Sequence, residues 1–373
     1  MITIKEVKTK KDLRKFIQFP NQLYKDCPYF SPCLYMDEMN CLNPKKNPAS
    51  KYCDFKLLLA YKDKKIVGRI CGIINHHANQ RYNQKRVRFN RIDMIDDIEV
   101  TKALIQAVEN WGKENGLVEI NGPLGYSDQD KEGLLIKGFD QMNMFITMYS
   151  YPYYVDHLKQ LGFVEDAFWN EYKIMIPQTV DPRITRIARH VEKKYKLKIV
   201  HLKSKREIKN YVIEALHLVN RCYKDLYGYV QIDDNQIRHL AAQYVPLINL
   251  DYLQLVETED HRIIGLGLMI PSPALAAKKI KGRLFPFGFI PFLSALKHSK
   301  VLEMLFVAID PEYQNKGVNS LIIEEAIQNA IQNGIQYAET GPELEDNIAV
   351  QSQWKTFDAI NHKKRCCFLK PIE

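Results

Sequence analysis

A turn rich in backbone amides is the first place where this sequence can do chemistry. Tyr313-Gln314-Asn315-Lys316-Gly317-Val318-Asn319 follows an apolar run, Val301 to Ile309, that reads as a buried strand, and it leads into an amphipathic helix. At a strand-to-helix junction successive N–H groups point outward without helical partners and the helix dipole adds partial positive charge, so the place suits a pyrophosphate. Gly317 has no Cβ to hold phosphate oxygens off the backbone. A plain polar connection has a similar composition, and a short glycine motif alone does not exclude it.

Two stretches far apart in the chain share the elements needed to hold such a turn. Residues 103–116 and 321–334 each carry an apolar stripe at helical spacing, each closes on Asn-Gly, and each leads through a short strand pattern to Gly-Pro. The stripe predicts a helix lying on a sheet, and the glycine supplies the left-handed residue that ends it. Upstream of each helix stands a hairpin pattern, 55–61 with 66–74 and 252–257 with 262–270. Hairpin, strand, helix and strand thus occur in that order twice, which predicts an α/β chain with a mixed sheet. Two similar units are expected, residues 1–178 and 179–373, and the length suits two cores. The first copy enters its helix through Asp96-Asp97-Ile98-Glu99, acidic and without glycine, which would repel a pyrophosphate. Cofactor binding is therefore expected in the second unit alone.

Pro311-Glu312-Tyr313-Gln314-Asn315-Lys316-Gly317-Val318-Asn319 resembles the signature of the GNAT N-acetyltransferase superfamily. The resemblance implies two tandem GNAT-like folds and a turn that holds acetyl-CoA or another acyl-CoA by its pyrophosphate. It implies cofactor contacts from Gln314, Asn315, Lys316, Gly317, Val318 and Asn319, and from Ile309, whose backbone would face the pantetheine amides between the fourth and fifth strands. Asn347 corresponds to the residue that opens the helix flanking the pantetheine arm. Glu303, six residues before Ile309, stands where some members carry a glutamate that deprotonates the acceptor amine. Attack on a thioester needs a neutral amine, hence a carboxylate raised toward neutrality; a buried glutamate paired with Arg or Lys is the alternative. Two residues depart from the pattern. Asn319 replaces the usual Gly or Ala, and Trp354 replaces the tyrosine that reprotonates the thiolate, so that Tyr313 or Tyr337 is expected to substitute. Over most of its course, including Tyr153-Tyr154 through Leu161-Gly162-Phe163, the chain is similar to a bacterial family of tandem GNAT-like proteins of unassigned substrate.

A net charge of +9 suits an anionic partner, and its densest run, Arg183 to Arg206, reads as a solvated helix face. A tandem GNAT-like aminoacyl transferase using charged tRNA would suit the charge but would not need the CoA turn, and no nucleic-acid partner is expected. Asp128, Asp130, Glu132 and Asp140 lie around a glycine-bearing loop, either meeting a polar substrate across the units or simply solvated. The segment from Gly282 to Leu293 is unusually aromatic for a connection. It would line an apolar pocket, pack between the units, or rest on a membrane surface with Lys278, Lys279, Lys281 and Lys297 beside it. No apolar run approaches the roughly 20 residues that span a bilayer. The eight cysteines lack C-x-x-C and zinc-finger spacing, so free thiols and no metal are expected. The start of the chain alternates like a strand and lacks a secretory signal, which predicts a cytoplasmic protein. The expected activity is transfer of an acetyl or other acyl group from acyl-CoA to an amine or hydroxyl of a small molecule or peptide. A non-catalytic acyl-CoA- or lipid-binding protein is the alternative.

Overall fold

Alternating apolar residues give each hairpin a face that must be covered, and the striped helices cover it. A computed structural model describes residues 1–127 and 130–373, apart from the side chain of Gln243. Asp128 lies outside the described residues. The first half runs β1 (Ile2–Glu6), α1 (Lys10–Leu23), α2 (Tyr35–Cys41), β2 (Cys53–Lys62), β3 (Lys65–Asn75), α3 (His76–Arg81), β4 (Arg86–Met94), α4 (Ile98–Glu114), β5 (Glu119–Gly122), β6 (Leu134–Lys137), α5 (Tyr153–Gln160) and β7 (Val164–Met175). The second runs α6 (Pro182–Tyr195), β8 (Lys198–Ile199), α7 (Val212–Tyr223), α8 (Asp234–Tyr244), β9 (Leu253–Glu257), β10 (Ile263–Pro271), α9 (Ala274–Lys279) and α10 (Phe289–His298). It continues with β11 (Val301–Ile309), α11 (Asn319–Gln332), β12 (Tyr337–Glu339), β13 (Glu343–Leu344), α12 (Ile348–Gln351) and β14 (Ala359–Pro371).

The repeat helices sit in equivalent places. Val100, Leu104 and Val108 of α4 pack with Ile70 and Phe89, while Leu321 and Ile322 of α11 pack with Val256 and Ile264. Each helix comes so close that the strand below needs a glycine: a Cβ on Gly68 would stand 2.8 Å from Leu104, and one on Gly267 would stand 2.5 Å from Ile322. On the opposite face of the second unit, Leu218 and Val219 of α7 pack with Leu255 and Leu266.

The two units share one sheet instead of closing two. Its order is β1-β2-β3-β4-β5-β14-β7-β12-β11-β10-β9-β8, with β6 and β13 on side branches. The β4–β5 and β11–β12 pairs are parallel and the rest antiparallel. Strand β7, the last strand of the first unit, pairs with β12 of the second; strand β14, at the end of the chain, pairs with β5 of the first. The exchanged strands pair with each other from Val164↔Leu369 to Ile174↔Ala359.

Charge is buried at this seam. Glu171 of β7 and Lys363 and Arg365 of β14 have fully buried side chains. Arg365 is bonded to Glu171, and the Lys363 ammonium lies 3.1 Å from Glu171 and 2.7 Å from Glu339 of β12. Burial would raise the Glu171 carboxyl, but Arg365 and Lys363 hold it down to about 2. Both cations also donate to first-unit carbonyls, Lys363 to Met142 at 3.1 Å and Arg365 to Met148 at 2.6 Å. Among the described residues no helix is long and apolar enough to cross a membrane.

Candidate active site in the C-terminal unit

β11 and β12 pair only from Val301↔Tyr337 to Glu303↔Glu339. Beyond that β11 continues to Ile309, while the other chain turns at Thr340-Gly341-Pro342 and joins β7 as β13. The two strands therefore splay, leaving one edge of β11 beyond Glu303 without a strand partner. The turn over residues 310–318 sits at the far end of this splay. Asp310 anchors it: the buried carboxylate accepts from Arg262 at 2.9 Å and Arg221 at 3.0 Å and caps the Glu312 N–H at 3.1 Å. Burial raises its carboxyl, and these partners bring it below the usual range.

Asn315 and Gly317 both take positive φ, 59° and 79°, which curls the backbone so that successive amides face outward. Among the described residues the backbone N–H groups of Asn315, Lys316, Gly317, Val318 and Asn319 have no acceptor within the chain. Gln314 donates its amide to the Ile309 carbonyl at 2.9 Å. The Asn319 amide reaches Gln353 at 2.9 Å, tying the start of α11 to the segment carrying Trp354. Asn347 caps α12 through the Val350 N–H. Lys316 lies over the rings of Tyr195 and Tyr313, 5.5 and 5.3 Å from their centroids.

A cavity of about 400 Å³ threads the splay. On one face of the sheet its wall includes Ala215, Leu255 and Leu266; on the other it includes Ile322, Ile323 and Ala326. Ile146, Trp169 and Ile174 close it from the first-unit sequence. Asn319 and Asn347 reach this wall, and Tyr223 lies on it with its hydroxyl donating to the Val307 carbonyl at 3.1 Å, on the open edge of β11.

Two glutamates near the splay, Glu303 buried and Glu343 partly buried, have carboxyls raised to about 7. For Glu303 burial is the main cause, aided by Glu339 and opposed by the Ser272 hydroxyl. Its oxygens accept from Ser272 at 2.5 Å and from the Phe145 N–H of the first unit at 2.8 Å, and it is absent from the cavity wall. For Glu343 burial raises the carboxyl against one opposing donor, the indole N–H of Trp354, which lies 2.9 and 3.0 Å from its two oxygens. Glu343 is on the wall. Sequence reasoning passed over it because, once Trp354 is read as a lost tyrosine, nothing in the sequence says that its N–H would meet a carboxylate. Tyr313 packs edge-on against Tyr195 and Tyr337 lies under Lys173; neither is on the cavity wall.

The equivalent splay in the first unit is filled by its own side chains. Tyr154 accepts the Met94 N–H at 3.1 Å and Tyr153 donates to the Met94 carbonyl at 2.7 Å, so α5 covers the open edge of β4. Arg91 is buried between Glu38 and Asp130, bonding both oxygens of each carboxylate at 3.0 to 3.1 Å. Asp130 and Glu132 reach the wall of the large cavity, while Asp140 is exposed. Only residues 95–97 join β4 to α4, where residues 310–318 join β11 to α11.

Splayed parallel strands, an amide-lined turn and exchanged final strands define the class: this is a protein of tandem GNAT fold. Residues 224–352 match the acetyltransferase (GNAT) family. Among solved structures it resembles a tandem GNAT protein from the clavulanic acid biosynthesis pathway, with a TM-score of 0.59 at 8% identity over 100% of this chain and 99% of that one. Among curated proteins it is 28% identical to Protein YghO of Escherichia coli, over 97% of this chain and 94% of that protein. It is also 26% identical to the bacterial ceramide synthase of Caulobacter vibrioides, over 79% of this chain and 77% of that protein.

Proposed function

We propose that the chain is an acyl-CoA-dependent N-acyltransferase whose acceptor is an amine carrying a long apolar chain. The observation that carries this reading is the apolar cavity threaded through the β11–β12 splay beside the amide-lined turn. A small hydrophilic acceptor would gain nothing from such a wall, whereas hydrocarbon buried there gains roughly 0.8 kcal/mol per methylene. The resemblance to a ceramide synthase points the same way, a ceramide being an amide of a fatty acid with a long-chain amino alcohol. The turn from Gln314 to Asn319 would take the CoA pyrophosphate, and the strand edge at Ile309, whose carbonyl accepts from Gln314 in this conformation, would face the pantetheine amides. Acyl-CoA and eight free cysteines suit the reducing cytoplasm.

In the proposed reaction the amine nitrogen attacks the thioester carbon, a C–N bond forms, and the C–S bond breaks. Glu343 receives the amine proton, being a carboxylate on the cavity wall with its affinity for protons raised to about 7. The departing thiolate takes a proton from Tyr223, whose hydroxyl stands on the splayed edge, and exchange with water then removes the proton from Glu343 and restores that of Tyr223. Glu303 as base is the second reading, favoured by its own rise to about 7.

The test is to incubate the chain with acyl-CoAs of graded length and with amines of graded chain length, following amide by mass spectrometry and thiol release by colour. The expected result is amide formed stoichiometrically with free CoA and favoured by long acceptors. Acyl-CoA bound without any thiol release, whatever the amine, would instead make the chain a binding protein.

A further inference from the structure

We propose that the segment from α9 to α10 is a docking surface for an anionic phospholipid bilayer. Exposed large apolar side chains elsewhere on the chain are mostly scattered, whereas Leu275, Phe285, Phe287, Phe289, Ile290 and Leu293 fall within one segment. Leu275, Phe285 and Phe287 are 72, 74 and 73% exposed, which no fold-internal role explains. The segment is held firmly from beneath. Phe292 packs against Phe145 with ring centroids 5.7 Å apart, the Gly282 carbonyl accepts the Tyr35 N–H at 2.8 Å, and Lys278 donates to the Cys27 carbonyl at 3.0 Å. The outward rings are thus presented on an anchored base.

The charge around them selects the occupant. No Asp or Glu occurs between Asp260 and Glu303, and Lys279, Lys281, Arg283 and Lys297 are all exposed beside the apolar residues. Aromatic and aliphatic side chains ringed by cations match acyl chains beneath anionic headgroups. A second copy of this chain fits poorly, because a two-fold contact sets the patch against itself and brings like charges together. The surface also borders the cavity: Ile146 packs against the cluster that holds Phe292 and forms part of the cavity wall. An amphiphile leaving the bilayer would have a short apolar route inward. Docking itself is inferred without the acyl-transfer reading, and its test reads binding, not turnover.

The experiment is co-sedimentation of the full chain with vesicles of phosphatidylethanolamine containing about one-third phosphatidylglycerol, and with phosphatidylcholine vesicles, at low and high salt. Binding to the anionic vesicles is expected, weaker on phosphatidylcholine and reduced by salt. Phe285→Ser with Phe287→Ser and Leu293→Ser should weaken it by about tenfold or more, since each loses burial in the acyl region. Because these side chains are exposed, the variant's melting temperature should match the parent's, separating lost docking from lost folding. Absence of vesicle binding by the parent, or equal binding by parent and variant, overturns the proposal. So does a parent dimer in sedimentation velocity that the variant turns into a monomer, which would assign the patch to a second copy.

Discussion

A carboxylate works as a base near neutral pH when its affinity for protons is raised and when the proton it must take can reach it. Glu303 and Glu343 both meet the first condition, with carboxyls raised to about 7. Only Glu343 meets the second in this conformation, because it stands on the cavity wall, whereas Glu303 is absent from that wall and is held by Ser272 and the Phe145 amide. Turnover should therefore rise with pH through about 7 as Glu343 loses its proton. Glu343→Gln should lower kcat by roughly a hundredfold or more and abolish that acidic limb, with CoA affinity preserved. Glu303→Gln should leave the limb in place; a limb that vanishes in Glu303→Gln and persists in Glu343→Gln would transfer the role. At Gly317 the test must separate charge from strain, since φ is 79° and a Cβ would stand 3.1 Å from Ile187. Asn tolerates that backbone region and Asp is nearly its shape. Gly317→Asp should lose CoA affinity by calorimetry at least about tenfold more than Gly317→Asn, through repulsion of the pyrophosphate. Equal affinities would place the pyrophosphate elsewhere.

Among the elements, those with a local signature were legible. The apolar run from Val301 to Ile309 is strand β11, and the striped segments beginning at Ala103 and Leu321 lie in α4 and α11. Both hairpins formed where their alternation predicted, and the amide-lined turn stands between its strand and helix. The exchange of β7 and β14 was not legible, because alternation says which face of a strand is buried and nothing about which strand lies beside it. Glu171, Lys363 and Arg365 were the missed signal: opposite charges on two strands far apart in sequence, each inside an otherwise buried pattern. Tyr153 and Tyr154, read only as part of a resemblance, proved to fill the first unit's splay. The seam makes its own prediction. Lys363→Met removes a cation that serves Glu171 and Glu339 together, leaving Glu171 with Arg365 alone and the buried Glu339 carboxylate without its lysine. Destabilisation of about 3 to 5 kcal/mol is expected in urea denaturation, far above that of an exposed-lysine control such as Lys194→Met.

At the scale of the whole molecule, the exchange ties the half that carries the amide-lined turn to the half that lacks it. β7 supports β12, one arm of the splay, while β14 completes the first unit's sheet against β5. Neither half carries all of its own sheet, so the full chain should unfold in one cooperative transition by calorimetry. Residues 1–178 alone would leave β5 without β14 and β7 without either neighbour, presenting long unpaired edges. The fragment has one apparent escape, to lay β7 directly beside β5 and close its own sheet. That arrangement would bury Glu171 without Lys363 and Arg365, and a carboxylate held down to about 2 by those cations would lose them both. Fragment 1–178 is therefore expected to be aggregated or unfolded by itself, and to give a dispersed amide spectrum only when co-expressed with 179–373. A monomeric, well-dispersed 1–178 would show that the strands exchange by preference of packing alone, and that the buried charges at the seam are not what enforces it.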